Sequence, residues 1–115
     1  MGISSQRKGR AGEIELAKAL QSFGIPARPG DPASYGNCPD LVGVPGVHVE
    51  CKRVERLNLD AAMTQAAFDS VRFGGLPAVF HRRDKGKWLV TMRLTDWAEL
   101  HKAYERVTLK SGFNF

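Results

Sequence analysis

Side chains alternate along an extended strand. In Val47-His48-Val49-Glu50-Cys51-Lys52, therefore, Val47, Val49 and Cys51 share one face, and His48, Glu50 and Lys52 share the other. Glu50 and Lys52 then stand roughly 6.6 Å apart, from a rise of about 3.3 Å per residue. At that spacing a carboxylate can hold a divalent cation while an ammonium stands beside the same phosphate. The triplet alone is a weak signal, because an acid-x-Lys run arises about once by chance in a chain of this length. Asp40 adds to it. It opens the apolar run Leu41-Val42-Gly43-Val44, and a hairpin through Pro45-Gly46 would bring it back beside Glu50 and Lys52. Two hard carboxylates suit Mg²⁺, which takes oxygen ligands and keeps several waters. Glu13 is the third acid. On a helix it lies within roughly 60° of Leu16, Ala17 and Leu20, so it shares the face that should be buried. A buried carboxylate needs a partner. Each acid also has an ordinary reading: Asp40 as a turn residue, Glu13 as a first-turn acid favoured by the helix dipole, Glu50-Lys52 as a solvated ion pair. Glu15 points away and reads as surface.

The elements that must position these groups follow from periodicity and breakers. Residues 9–23 read as a helix stopped by Gly24, and residues 25–28 as a short strand. Residues 29–37 (PGDPASYGN) form a loop. Residues 40–44 and 47–53 are strand-like. A helix capped by Asn58 or Asp60 runs to Phe73 and closes at Gly74-Gly75. Residues 77–82 and 87–93 read as two strands around Asp84-Lys85-Gly86, and Thr95 caps a last helix to about Arg106. Pairing sequential strands gives an α/β domain with a mixed five-stranded sheet flanked by helices. The chain has 115 residues, the size of one domain; its core is expected over about residues 7–106, with flexible ends at 1–6 and 108–115.

Apolar residues make up 43% and charged residues 25%, ordinary for a globular protein. No apolar run approaches the roughly 20 residues that span a bilayer. Residues 1–10 lack the apolar stretch of a signal peptide, so a cytoplasmic location is expected. Cys38 and Cys51 are too few for a disulfide framework or a cysteine-type zinc site and should be free thiols. The net charge of +5 favours polyanions over neutral metabolites, although many non-binding proteins reach it. No cofactor fingerprint supports a small-molecule enzyme.

Pro39-Asp40, then a nine-residue spacer, then Glu50-Cys51-Lys52 resembles the PD-(D/E)xK nuclease signature. The wider run is similar to the archaeal-type Holliday junction resolvases, including relatives in phages and mobile elements. Arg7-Lys8-Gly9 followed by Glu13 matches the family's opening; Arg28, a Gly/Ser-containing loop, Pro39-Asp40, the Glu-x-Lys strand, Phe73-Gly74-Gly75-Leu76-Pro77 and a strand with Trp88 follow in its order. The likeness spans residues 7–93. The signature alone is degenerate; the ordered set is more specific. The loop at residues 30–37 is more acidic and Pro-containing than the family's, which bears on substrate choice.

The resemblance implies a restriction-endonuclease-like core and a homodimeric, Mg²⁺-dependent endodeoxyribonuclease acting on four-way DNA junctions, with Mn²⁺ able to substitute. It makes Asp40, Glu50 and the Cys51 backbone carbonyl metal ligands. Glu13 would hold a metal-bound water or a second ion, and Lys52 would orient the attacking water. Ser34 would donate to the scissile phosphate. Arg7, Lys8, Arg10 and Arg28 are candidate phosphate contacts. Gln65 is a candidate neighbour of the site, with ordinary helix surface as its competing reading; Met63, Ala67 and Val71 are assigned to that helix's opposite face. His48 reads as a surface histidine, and Trp88 and Trp97 as core or interface residues. Two rival readings fit the same residues: a less selective DNA nuclease, and an inactive nucleic-acid-binding module.

Overall fold

The computed structural model describes residues 2–31 and 38–110, with side chains from residue 9 onward. Three helices and five strands follow in the order α1 (Gly2–Ser22), β1 (Arg28–Pro29), β2 (Leu41–Val42), β3 (Val47–Arg53), α2 (Leu59–Phe73), β4 (Leu76–Arg82), β5 (Leu89–Met92) and α3 (Leu94–Lys110). The α/β class and the element order agree with the sequence reading. The sheet does not. Instead of one five-stranded sheet there is a three-stranded mixed sheet, β3-β4-β5, and a separate two-stranded ribbon, β1-β2.

The parallel pairing of β3 with β4, from Val47 opposite Leu76 to Arg53 opposite Arg82, needs a crossover, which α2 provides. Its start is set by Asn58, whose side chain accepts from the Ala61 N–H at 3.1 Å. Its end is set by Gly74, whose N–H donates to the Ser70 carbonyl. Gly75 follows at φ +92°, and a Cβ there would lie 2.8 Å from the His48 nitrogen. Only glycine passes this close beneath the start of β3, and the Leu76 N–H can then reach the Gly46 carbonyl at 2.9 Å. β5 closes the sheet antiparallel to β4, with Ala78 opposite Met92.

Both sheet faces are covered. Leu16 and Ala17 of α1 pack with Ala27, Leu41, Val49, Ala78 and Phe80 on one side. Ala62 and Ala66 of α2 pack with Val79 on the other, flanked by Leu57, Leu59 and Met63. Strand alternation thus sends Val49 to α1 and its neighbours His48 and Glu50 toward α2. Helix α2 buries Ala62 and Ala66, while Val71, on the face set opposite Gln65, is 89% exposed. α3 contributes to neither cluster. Leu94, Trp97 and Leu100 are exposed, as are Leu89 and Val90 of β5, so Trp97 is no core residue. Trp88 packs against the α1-side core, as expected. Glu15 is also no free surface acid: it pairs with Arg82 and, at 3.3 Å, with Arg53, tying α1 to β3 and β4. Among the described residues, no helix is long and apolar enough to cross a membrane.

Candidate metal centre

The site forms where β2, β3, α1 and α2 meet. Asp40 precedes β2, and one oxygen of its carboxylate accepts from the Cys51 backbone N–H at 2.8 Å. The expected hairpin ladder between residues 40–44 and 47–53 is not formed, since β2 pairs with β1. The Asp40 carboxylate occupies the N–H that a ladder carbonyl would have used. It therefore lies beside β3, as the sequence required, by a different route. Its backbone is held too. The Gly30 N–H donates to the Asp40 carbonyl at 2.9 Å. A Cβ on Gly30 would lie 2.0 Å from the Pro39 carbonyl oxygen, so only glycine permits that approach.

Glu50 is buried, and Lys52 Nζ lies 3.7 Å from its Oε1 at the more open rim of the site. Burial first, then the Asp40 charge, pushes the Glu50 carboxyl up to about 7, although Lys52 opposes the shift. Glu13, projecting from α1, is likewise pushed up to about 7, by burial and then by Asp40, against the pull of Arg10. Asp40 itself is raised, mainly by burial, with the Cys51 N–H and Lys52 opposing. Asp40 thus disfavours the ionised forms of both Glu13 and Glu50, burial disfavours its own, and the nearby cations do not offset this. A divalent cation would do so, and hard carboxylate oxygens are the donors Mg²⁺ takes. The residues present therefore fit such an ion. The Cys51 thiol lies on the core side of β3, where burial raises its pKa and keeps it protonated.

Two residues escaped the sequence reading. His48 is 3% exposed rather than a surface histidine. α2 covers its face of β3, and its ring stacks on Phe73 at 5.9 Å between centroids. Burial lowers its pKa and favours the neutral ring. Asp69 of α2 is the second. One nitrogen of His48 and one oxygen each of Glu50 and Asp69 all lie within 4.8 Å of one another. The available signal was Asp69 four residues after Gln65, on one helical face, whose Nε2 donates to Asp69 Oδ2 at 2.9 Å. Gln65 also lines, with Lys52 and Asn58, a groove of about 380 Å³.

Among the proposed phosphate contacts, Arg10 is partly used internally. Its Nη1 donates to the Gly30 carbonyl at 2.8 Å and lies 3.8 Å from Glu13 Oε2. Arg28 is exposed on β1. Arg7 and Lys8 lie on α1, but their side chains, like Ser34 as a whole, fall outside the described residues. Both cysteines are free thiols. No family model, curated protein or solved structure matches this chain.

Proposed function

We propose that the protein is a metal-dependent nuclease that hydrolyses phosphodiester bonds in DNA, with a restriction-endonuclease-like core and a preference for four-way junctions. One observation supports the chemistry: the Asp40 charge acts on both Glu13 and Glu50, which are pushed up to about 7, and Lys52 Nζ lies 3.7 Å from Glu50. Such a concentration of acid is costly in a small fold unless a cation uses it. Asp40 and Glu50, with the Cys51 carbonyl as a further candidate ligand, would hold a divalent cation, which would supply Lewis-acid stabilisation and lower the pKa of a bound water. Mg²⁺ fits the oxygen donors, and Mn²⁺ can replace it.

The chain's own groups do the rest. Asp40, anchored by the Cys51 N–H, keeps one oxygen for the cation. Glu50 would be the second carboxylate ligand, and Glu13 would hold a metal-bound water or a second ion. Lys52, at the rim, directs the attacking water and offsets charge on the phosphate as the bridging P–O bond breaks. Gln65 borders the Lys52 side of the site. The DNA assignment rests on the +5 net charge and on Arg7, Lys8, Arg10, Arg28 and Ser34 as contacts. Backbone contacts carry little sequence information, so junction preference would come from shape. The same reading makes the protein a cytoplasmic homodimer. Its test is a Mg²⁺ cleavage panel of four-way junction, fork, linear duplex and single strand. Junction-first cleavage supports the resolvase reading. Equal cutting of duplex leaves a less selective nuclease, and binding without cutting leaves a binding module.

A further inference from the structure

His48 is an unusual buried histidine. At 3% exposure, both of its ring nitrogens lack any hydrogen-bond partner. Buried polar groups in folded proteins are almost always satisfied, and leaving one unsatisfied is costly. An orphaned nitrogen therefore needs an explanation. One ring nitrogen faces the carboxylates of Glu50 and Asp69, with all three ligand atoms inside 4.8 Å. They converge on a common point yet make no hydrogen bond to one another. An ion held at about 2.0–2.2 Å from each would draw them to roughly 3 Å apart, a modest side-chain closure. A single proton can be shared by only two of these three groups, whereas a cation bonds to all three donors at once.

We propose that His48, Glu50 and Asp69 form a second cation site, distinct in chemistry from the Asp40 position and sharing Glu50 with it, that takes a first-row transition ion such as Zn²⁺ rather than Mg²⁺. The donor set decides the ion. One imidazole and two carboxylates match Zn²⁺ and its neighbours, whereas Mg²⁺ favours oxygen donors alone. Three protein ligands leave a position open for water. The fold supplies the three donors from two packed elements. His48 and Glu50 share one face of β3, and Asp69 descends from α2, so the ion would clamp that helix to the strand. The stack on Phe73 and the hydrogen bond from Gln65 to Asp69 orient two of the three ligands. The site stands on these side chains and does not require the nuclease reading.

The test uses the full chain labelled with ¹⁵N, and Zn²⁺ as the probe. The chain has three histidines, His48, His81 and His101, so their ring nitrogens can be followed separately. Zn²⁺ at one equivalent should move one His48 ring nitrogen to the position of a coordinated imidazole and leave His81 and His101 unchanged. Mg²⁺ should produce no such change. Asp69→Asn should weaken Zn²⁺ binding at least tenfold, while Asp40→Asn should leave the His48 signal intact. Unchanged His48 ring signals at saturating Zn²⁺, or an equal response in Asp69→Asn, would overturn the site. A nuclease assay is a separate measurement, so inactive protein with coordinated His48 would defeat the nuclease reading alone.

Discussion

Glu50 carries two loads, its own burial and the charge of Asp40, and this makes it the informative residue for pH. Its carboxyl is pushed up from an ordinary 4.5 to about 7, by burial and then by the Asp40 charge. The folded state then holds the proton more tightly than the unfolded chain. The resulting stability is fully present below about pH 4.5 and is lost as pH rises through about 7. His48 opposes this trend: its lowered pKa removes stability as pH falls below the ordinary histidine value of 6.5. A difference measurement separates the two. Glu50→Gln mimics the protonated acid, so its melting temperature without metal should match wild type near pH 4.5 and exceed it by on the order of a few degrees at pH 8. Differential scanning calorimetry in chelator checks this, and an advantage that shrinks with rising pH would contradict it. Saturating Mg²⁺ should reverse the order at pH 8, because only wild type keeps the full ligand set; an excess of 100-fold over Kd is worth about 2.7 kcal/mol. The shared strand face of Glu50 and Lys52 and the inward side of α1 for Glu13 follow from local rules, strand alternation and a helical stripe, whereas Asp40 was placed by a hairpin that the fold replaces with a hydrogen bond to the Cys51 N–H. His48 and Asp69 were not legible in the sequence. Whether the His48 face of β3 is wet or dry depends on where α2 packs, and no local spacing states that.

At the scale of elements, the capping signals of α2 read well, but Thr95, expected to cap the last helix, lies inside α3, which begins at Leu94 and runs to Lys110 rather than about Arg106. Asn58 begins α2 and Gly74 ends it, as its breakers indicated. α1 instead starts at Gly2 rather than residue 9, and β1 comprises only Arg28–Pro29 rather than residues 25–28. Strand pairing was the weakest inference. The preference for sequential neighbours predicted a hairpin through Pro45-Gly46, but a side chain, Asp40, captured the Cys51 N–H. Such competition between side chain and backbone is invisible to a rule about strand order. Gly75 offers a direct test of the β3–β4 register. Gly75→Ala combines φ +92° with a 2.8 Å approach to backbone and should cost about 1–3 kcal/mol. Gly86→Ala, where the nearest atom lies at 3.4 Å, should be close to neutral. Urea denaturation of both variants measures this, and equal midpoints would contradict the register argument.

For the whole molecule, one group of exposed apolar residues is contiguous, apart from single ones such as Phe23, Phe68 and Val71 elsewhere. Leu89 and Val90 lie on the edge strand β5, and Leu94, Trp97 and Leu100 continue onto α3, all at least 44% exposed. A contiguous apolar face of this kind, spanning an edge strand and the helix that follows it, is the sort of surface through which copies of a chain associate. The homodimer reading predicts that it meets its own copy across a twofold axis. Light scattering at micromolar concentration should give twice the chain mass, and Val90→Lys with Trp97→Glu should give a folded monomer. A wild-type monomer, or an unaffected double variant, would remove this face as the interface. Such a dimer doubles the chain's +5 charge and presents two sites, so four-way junction should outcompete linear duplex of the same sequence by tenfold or more at fixed salt. Equal competition would remove the junction preference and leave cleavage itself untouched.

A single hydrolytic metal site built from Asp40, Glu50 and Lys52 is tested most directly by one rate comparison. Wild type and Glu50→Gln are given labelled junction DNA in Mg²⁺, with folding checked by circular dichroism. Wild type should cut in Mg²⁺ and stop in chelator. Glu50→Gln should fold, bind the junction at least as tightly, and cut on the order of 10² to 10⁴ times more slowly. A folded Glu50→Gln protein that cuts at the wild-type rate, or a wild type that cuts equally well in chelator, would contradict the assignment.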